Sequence, residues 1–79
     1  MSNKFAPTEK QRLDFSACIE KDIRVYPVAI PNSDKYYVEV DNNGKKNLSL
    51  DKLTKEPIEY TDLEAWNKIF QYYEYFARL

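Results

Sequence analysis

The sequence predicts an α+β fold in which a four-stranded antiparallel β-meander carries one C-terminal α-helix packed on the sheet. Three observations predict it. Apolar and polar residues alternate in residues 12–20 and 35–41, an Asn-Gly turn follows the second segment, and a helical pattern begins behind a capping box. A chain of 79 residues supports one core. We therefore expect a flexible lead-in over residues 1–11 and a single globular domain over residues 12–79.

The first predicted strand covers residues 12–20. Apolar side chains occupy every second position from Leu13 to Ile19, whereas on a helix the same residues would scatter around the axis. The preferred interpretation is a half-buried strand. The alternative is that the first segment is a helix, which changes the element order to αβββα. Thr8 and Gln11 have the spacing of a capping box, so they could cap a short helix at this point.

Two more strands are predicted before the turn. After Arg24, the odd-numbered and the even-numbered positions of residues 23–30 are both apolar. The segment is also rich in β-branched side chains. This pattern indicates a strand buried on both faces, except where Pro27 interrupts the ladder. Residues 35–41 alternate instead, as expected for a strand with one buried face. Its inward residues are Tyr36, Val38 and Val40.

A turn at residues 42–44 joins the third strand to a fourth over residues 45–50. A two-residue loop would leave the valines of the third strand opposite polar residues. A three-residue loop unites the apolar residues of both strands on one face. We therefore expect a type I turn with Gly44 in a left-handed G1 bulge. The pairs expected from this register are Val38 with Leu48 and Tyr36 with Leu50.

The last segment is predicted to be a helix. Residues 51–60 contain a proline and mixed charges, which indicates a connection with a short edge strand at Ile58. Thr61 and Glu64 then stand at capping-box spacing, and the helix runs from there to near Leu79.

This helix carries more aromatic surface than one sheet can cover. Its apolar sector spans about 200°, where about 100° or slightly more is typical of a surface helix. One side should be ordinary core, formed by Trp66, Phe70, Tyr73 and Phe76. Tyrosines outside the core face would form an exposed patch of the size associated with binding sites. The residues expected to bind a protein partner are Tyr72, Tyr75, Leu79 and Lys68.

The composition argues against catalysis. The chain has no histidine, one glycine and one cysteine, Cys18, which excludes Ser-His-Asp and Cys-His catalysis, P-loops and dinucleotide-binding loops. Glu39 and Asp41 share a strand face and could act as acid and base, but solvated strand carboxylates are far commoner. We expect no enzymatic activity, no cofactor and no bound metal.

The expected location is the cytoplasm. A lone cysteine fits a reducing compartment, and no apolar run is long enough for a leader peptide or a membrane span. The net charge of −1 gives no general attraction to membranes or nucleic acid.

The leading hypothesis is a non-catalytic protein-binding domain, a small adaptor or a stoichiometric inhibitor of a larger complex. Self-association through the same helix is a variant. Small domains without cofactors are common among phage and mobile-element antagonists of host machinery, so such an origin is an expectation. The alternative is a nucleic-acid-binding accessory protein that stacks bases on its sheet. Its contacts would be Tyr37, Lys45, Lys46, Lys52 and Lys55.

Overall fold

The structure, a computed structural model, describes residues 6–79 and places two helices on a three-stranded antiparallel sheet. In chain order the elements are α1 (Glu9–Glu20), β1 (Ile23–Ala29), β2 (Tyr36–Asn42), β3 (Lys45–Leu48) and α2 (Asp62–Ala77). The α+β class is confirmed. The four-stranded meander is wrong, and the αβββα alternative matches better. Residues 1–5 of the expected lead-in lie outside the described residues, and residues 9–11 form the first turn of α1.

The first segment is a helix with a capped N-terminus, so the strand expected over residues 12–20 is wrong. Thr8 Oγ1 accepts a hydrogen bond from Gln11 N (3.1 Å), and Gln11 Oε1 accepts one from Thr8 N (2.8 Å). The apolar residues do scatter around the helix: Cys18 is the buried residue, and Leu13 is 64% exposed. Capping and a narrow strip of contact therefore define α1, and the alternation along the sequence is incidental.

β1 is an edge strand, which corrects the expectation that residues 23–30 are buried on both faces. Val25 is buried against the helices, whereas Arg24 is exposed on the other face. The N–H and C=O groups of Val25 point away from β2, since both bond to the hydroxyl of Tyr73, at 2.9 Å each. Because this geometry repeats every second residue, Pro27 also faces outward, where its missing N–H costs no ladder bond.

The hairpin between β2 and β3 has a two-residue loop, so the expected three-residue loop and G1 bulge are wrong. Asn43 and Gly44 both have positive φ angles, 55° and 92°, as a type I′ turn requires. The twist of this turn matches that of paired strands. In the resulting register Val40 lies opposite Asn47, and Ser49 N donates a hydrogen bond to Val38 O.

The leucines expected in the core therefore lie on the sheet face turned away from the helices. Leu50 is 47% exposed. Ser49 takes the inward position and is buried, which is acceptable because its hydroxyl bonds to two tyrosine hydroxyls. The strand expected at Ile58 is reduced to isolated bridges on either side, Leu50 with Pro57 and Tyr36 with Tyr60.

α2 begins at the predicted cap. Thr61 Oγ1 accepts a hydrogen bond from Glu64 N (3.3 Å), and Glu64 Oε1 accepts one from Thr61 N (3.0 Å). The hydrogen bond from Thr61 N to the Glu64 carboxylate lowers the pKa of Glu64. None of the described helices has the length and apolar character needed to cross a bilayer. The residues that α2 buries against the sheet are Ala65, Ile69 and Tyr73.

α1 covers one side of α2, which reduces the apolar surplus expected for that helix. The Phe15 ring packs edge-on against Tyr73, with centroids 5.1 Å apart. Cys18 Sγ donates to Tyr73 O at 3.3 Å. Within residues 6–79, no second helix lies on the opposite side of α2, which bears Tyr72.

Lys21, just after α1, caps the C-terminus of α2. Its Nζ donates to Phe76 O (3.1 Å), Ala77 O (3.4 Å) and Leu79 O (3.1 Å). α2 has no basic residue in its own last turn. The Lys21 ammonium therefore bonds carbonyl oxygens in and just beyond the last turn of α2 and complements the helix dipole.

We expect Lys21→Ala to lower the free energy of unfolding by about 1 kcal/mol, because α2 loses this cap. Urea titration followed by circular dichroism measures the change. Lys45→Ala, in the exposed hairpin, is the control and should change stability by less than about 0.5 kcal/mol. Equal midpoints for the two variants would show that Lys21 does not act as a cap.

Candidate functional site

The four residues predicted to bind a partner lie on one side of α2 and its C-terminal end. Lys68, Tyr72, Tyr75 and Leu79 are spaced by four, three and four residues, so they fall on successive turns of the same side. We call these four residues the tyrosine flank. Tyr75 is 60% exposed and Leu79 74% exposed, whereas Tyr72 is half-buried.

Tyr72 is held within its own chain. Its hydroxyl donates to Ser49 Oγ at 3.1 Å, and its ring stacks on Phe76 with centroids 6.3 Å apart and an interplanar angle of 19°. Lys68 Nζ lies 5.4 Å from the centre of the Tyr72 ring, within cation–π distance. Tyr72 is therefore a fixed wall of the flank, and replacing it would disturb the sheet as well as the surface.

Ser49 links the tyrosine flank to the core. Its Oγ lies 3.0 Å from the hydroxyl of Tyr60 as well as 3.1 Å from that of Tyr72. Sequence analysis missed this role because it placed Leu48 and Leu50 on the core face. The available signal was the Asn-Gly pair, since a two-residue turn by itself places Ser49 inward.

A hollow of about 580 Å³ opens beside the tyrosine flank. Of the described side chains that line it, two are cationic and none is anionic. The hollow thus combines aromatic surface with positive charge, which suits a partner whose surface is acidic and partly apolar. The lining residues are Lys52, Lys68, Gln71, Tyr72 and Tyr75.

The loop after β3 sets the position of Lys52. Asp51 Oδ1 accepts hydrogen bonds from Leu53 N (2.8 Å) and Thr54 N (3.0 Å). These bonds lower the pKa of Asp51. Asp51, the acidic residue nearest to Lys52 in sequence, is therefore hydrogen-bonded to backbone amides of its own loop.

The residues predicted to contact nucleic acid do not form one surface. Tyr37 and Lys46 lie on the sheet face turned away from the helices, and Lys45 lies on the other face by strand alternation. Lys52 lines the hollow beside the tyrosine flank, and Lys55 lies in the same loop with a positive φ of 64°.

Both carboxylates considered for catalysis have structural partners. Glu39 accepts a hydrogen bond from the Tyr26 hydroxyl, which raises the pKa of Tyr26 to about 12. Asp41 Oδ1 accepts one from Gly44 N at 2.9 Å, and Asp41 lies opposite Lys46 in the sheet. These acids share the uncovered face with Tyr37 and offset the positive charge of Lys46 there.

Cys18 is fully buried, and its thiol donates to a backbone carbonyl. Burial raises the pKa of this thiol, so the reactive thiolate is disfavoured. Among the described residues, no group of three or more cysteine, aspartate or glutamate side chains could hold a metal ion.

Comparison of the chain with protein-family models, with curated proteins and with solved structures found no match. The choice between functions therefore depends on the shape and charge of the surfaces described above.

Proposed function

We propose that the chain is a non-catalytic protein-binding domain, a small adaptor or stoichiometric inhibitor whose tyrosine flank binds an acidic patch on a larger protein. One observation carries the proposal: the exposed ring of Tyr75 stands with Lys52 and Lys68 around a hollow that no carboxylate side chain of residues 6–79 lines. Tyrosine recurs at contact hot spots because it offers a large rigid area with a polar tip.

The rings of the flank are already fixed before any partner arrives. The Tyr72 hydroxyl is bonded to Ser49, and the Tyr75 ring packs edge-on against Phe76 with centroids 5.2 Å apart. Side chains that are packed in advance lose less conformational entropy on binding. This preorganisation supports a contact role for the flank.

The charge of the hollow favours a different protein over a second copy of this chain. If two flanks faced each other, Lys52 and Lys68 of one copy would approach the same lysines of the other. Like charges brought together at an interface are unfavourable, whereas an acidic partner gains from both lysines.

An antagonist of host machinery encoded by a phage or mobile element is one form of inhibitor that this proposal covers.

The test is affinity capture from an extract of the source cells, followed by affinity measurement with the purified partner. The flank variant combines Lys68→Glu with Tyr75→Ser and leaves the Tyr72–Ser49 bond in place. The control combines Lys45→Glu with Leu13→Ser, the same charge reversal together with the replacement of another large exposed side chain by serine, both away from the flank. We expect the control to bind like the native chain and the flank variant to bind about 100-fold more weakly, since a hot-spot tyrosine and a charge reversal act together.

The proposal is wrong if the flank variant folds, by its circular dichroism spectrum, and retains the partner with native affinity. The nucleic-acid alternative is tested on the same samples with labelled single-stranded and double-stranded oligonucleotides at low salt, where phosphate binding is strongest. We expect no binding to either.

A further inference from the structure

An apolar groove of about 320 Å³ lies on the other side of α2 from the tyrosine flank. Phe15 and Ile19 of α1 line one wall, Trp66 of α2 lines the other, and Val25 of β1 is at the floor. Phe15 is 41% exposed although its ring is fixed against Tyr73. Large apolar side chains therefore stay accessible in a concave site.

The floor of the groove offers apolar contacts only. Val25 is 3% exposed and Tyr73 is 3% exposed. The Tyr73 hydroxyl accepts from Val25 N and donates to Val25 O, so these three polar groups satisfy one another. A partner strand cannot pair with β1 here, because the edge groups it would need are occupied and Pro27 has no N–H to offer.

Arg24 is the one charged side chain among the described residues that line the groove. The ion pairs found within residues 6–79 join other side chains: Lys10 with Asp14, Lys10 with Glu74, and Arg78 with Glu74. The groove thus combines an apolar interior with one positive charge at its edge. Arg24 lies opposite Asp41 in the sheet but forms none of these ion pairs, so its guanidinium can pair with a carboxylate beside an apolar side chain.

We propose that this groove receives one large apolar side chain from an acidic segment of a protein partner, with a carboxylate of that segment pairing with Arg24. The volume is at the lower end for ligand sites and fits one leucine or phenylalanine side chain. The proposal shares with the previous one the premise that the chain binds proteins. It does not depend on the tyrosine flank, which lies on the opposite side of α2.

Trp66 makes the test direct, because it is the only tryptophan of the chain and lines the groove. The probes are three capped pentapeptides: Asp-Glu-Leu-Asp-Glu, the same peptide with alanine in place of leucine, and Lys-Lys-Leu-Lys-Lys. We expect the acidic leucine peptide to change Trp66 fluorescence saturably, with a Kd of about 1 mM or weaker, because one buried leucine and one exposed ion pair support no tighter binding. The other two peptides should bind at least about fivefold more weakly.

Matched variants connect the signal to the groove. Arg24→Glu, at an exposed position, should weaken the acidic leucine peptide at least about fivefold, whereas Lys45→Glu should leave its affinity unchanged. Phe15→Ser should also weaken peptide binding, provided that this variant folds. If Phe15→Ser does not fold, Arg24→Glu alone decides whether the peptide binds in the groove. The Lys68→Glu, Tyr75→Ser variant should bind the peptide like the native chain, so failure of the flank and failure of the groove are distinguishable.

The proposal is overturned if the leucine peptide leaves Trp66 fluorescence unchanged. It is also overturned if the alanine or lysine peptide binds equally well, or if Arg24→Glu has no effect on the affinity.

Discussion

Tyr73→Phe is expected to lower the free energy of unfolding by about 2–4 kcal/mol, although it removes a single oxygen atom. That oxygen bonds both the N–H and the C=O of Val25, at 2.9 Å each, beneath the two helices. The phenylalanine ring would fill the same space and leave two buried backbone groups unpaired. Urea unfolding followed by circular dichroism measures the loss.

Tyr75→Phe is the control for this variant, since the Tyr75 side chain is mostly exposed, and it should change stability by less than about 0.5 kcal/mol. If Tyr73→Phe and Tyr75→Phe unfold at the same urea concentration, the hydroxyl does not support the edge strand as described.

Ile69→Ala is expected to destabilise the chain by about 2–5 kcal/mol. Ile69 is fully buried and is among the largest fully buried side chains of the described residues. Truncation there leaves a cavity between α2 and the sheet, where a small domain has little other core to compensate.

Leu63→Ala on the same helix is the matched control, because Leu63 is 53% exposed. Its cost should stay below about 1 kcal/mol, and thermal or urea unfolding distinguishes the two. Equal losses at the two positions would mean that α2 does not pack on the sheet through Ile69.

Local signals were sufficient for the C-terminal helix and failed for the N-terminal one. The Thr61–Glu64 capping box and the apolar side of residues 62–77 both point to α2. Thr8 and Gln11 form an equivalent cap, but the apolar residues of α1 alternate and do not form one helical stripe. α1 is stabilised by contacts such as that of Phe15 with Tyr73, which join distant parts of the chain.

The hairpin register shows a conflict between two rules. Pairing apolar residues across the strands favoured a three-residue loop, whereas the Asn43–Gly44 pair favoured two. The turn geometry prevailed because the valines of β2 pack against the helices and do not need leucines across the strand. Ser49 could then be buried, since Tyr60 and Tyr72 supply hydrogen bonds that no local pattern reveals.

The tyrosine flank could be anticipated because helical spacing alone groups its residues. The presence of Lys52 beside it could not, because the loop after β3 returns to α2 through contacts distant in sequence. The apolar groove between α1 and α2, lined by Phe15, Ile19 and Trp66, was not predicted. Its walls need α1 to be a helix, and Trp66 and Phe70 on their own indicate ordinary core.

Site-directed photo-crosslinking tests the central claim, that the tyrosine flank contacts a protein, most directly. A benzophenone amino acid replaces Tyr75 in one variant and Leu13, on the outer face of α1, in another. Irradiation of each variant with the captured partner should give a covalent adduct from position 75 and none from position 13. An adduct from position 13 alone, or none from position 75 while the variant still binds, would contradict the claim.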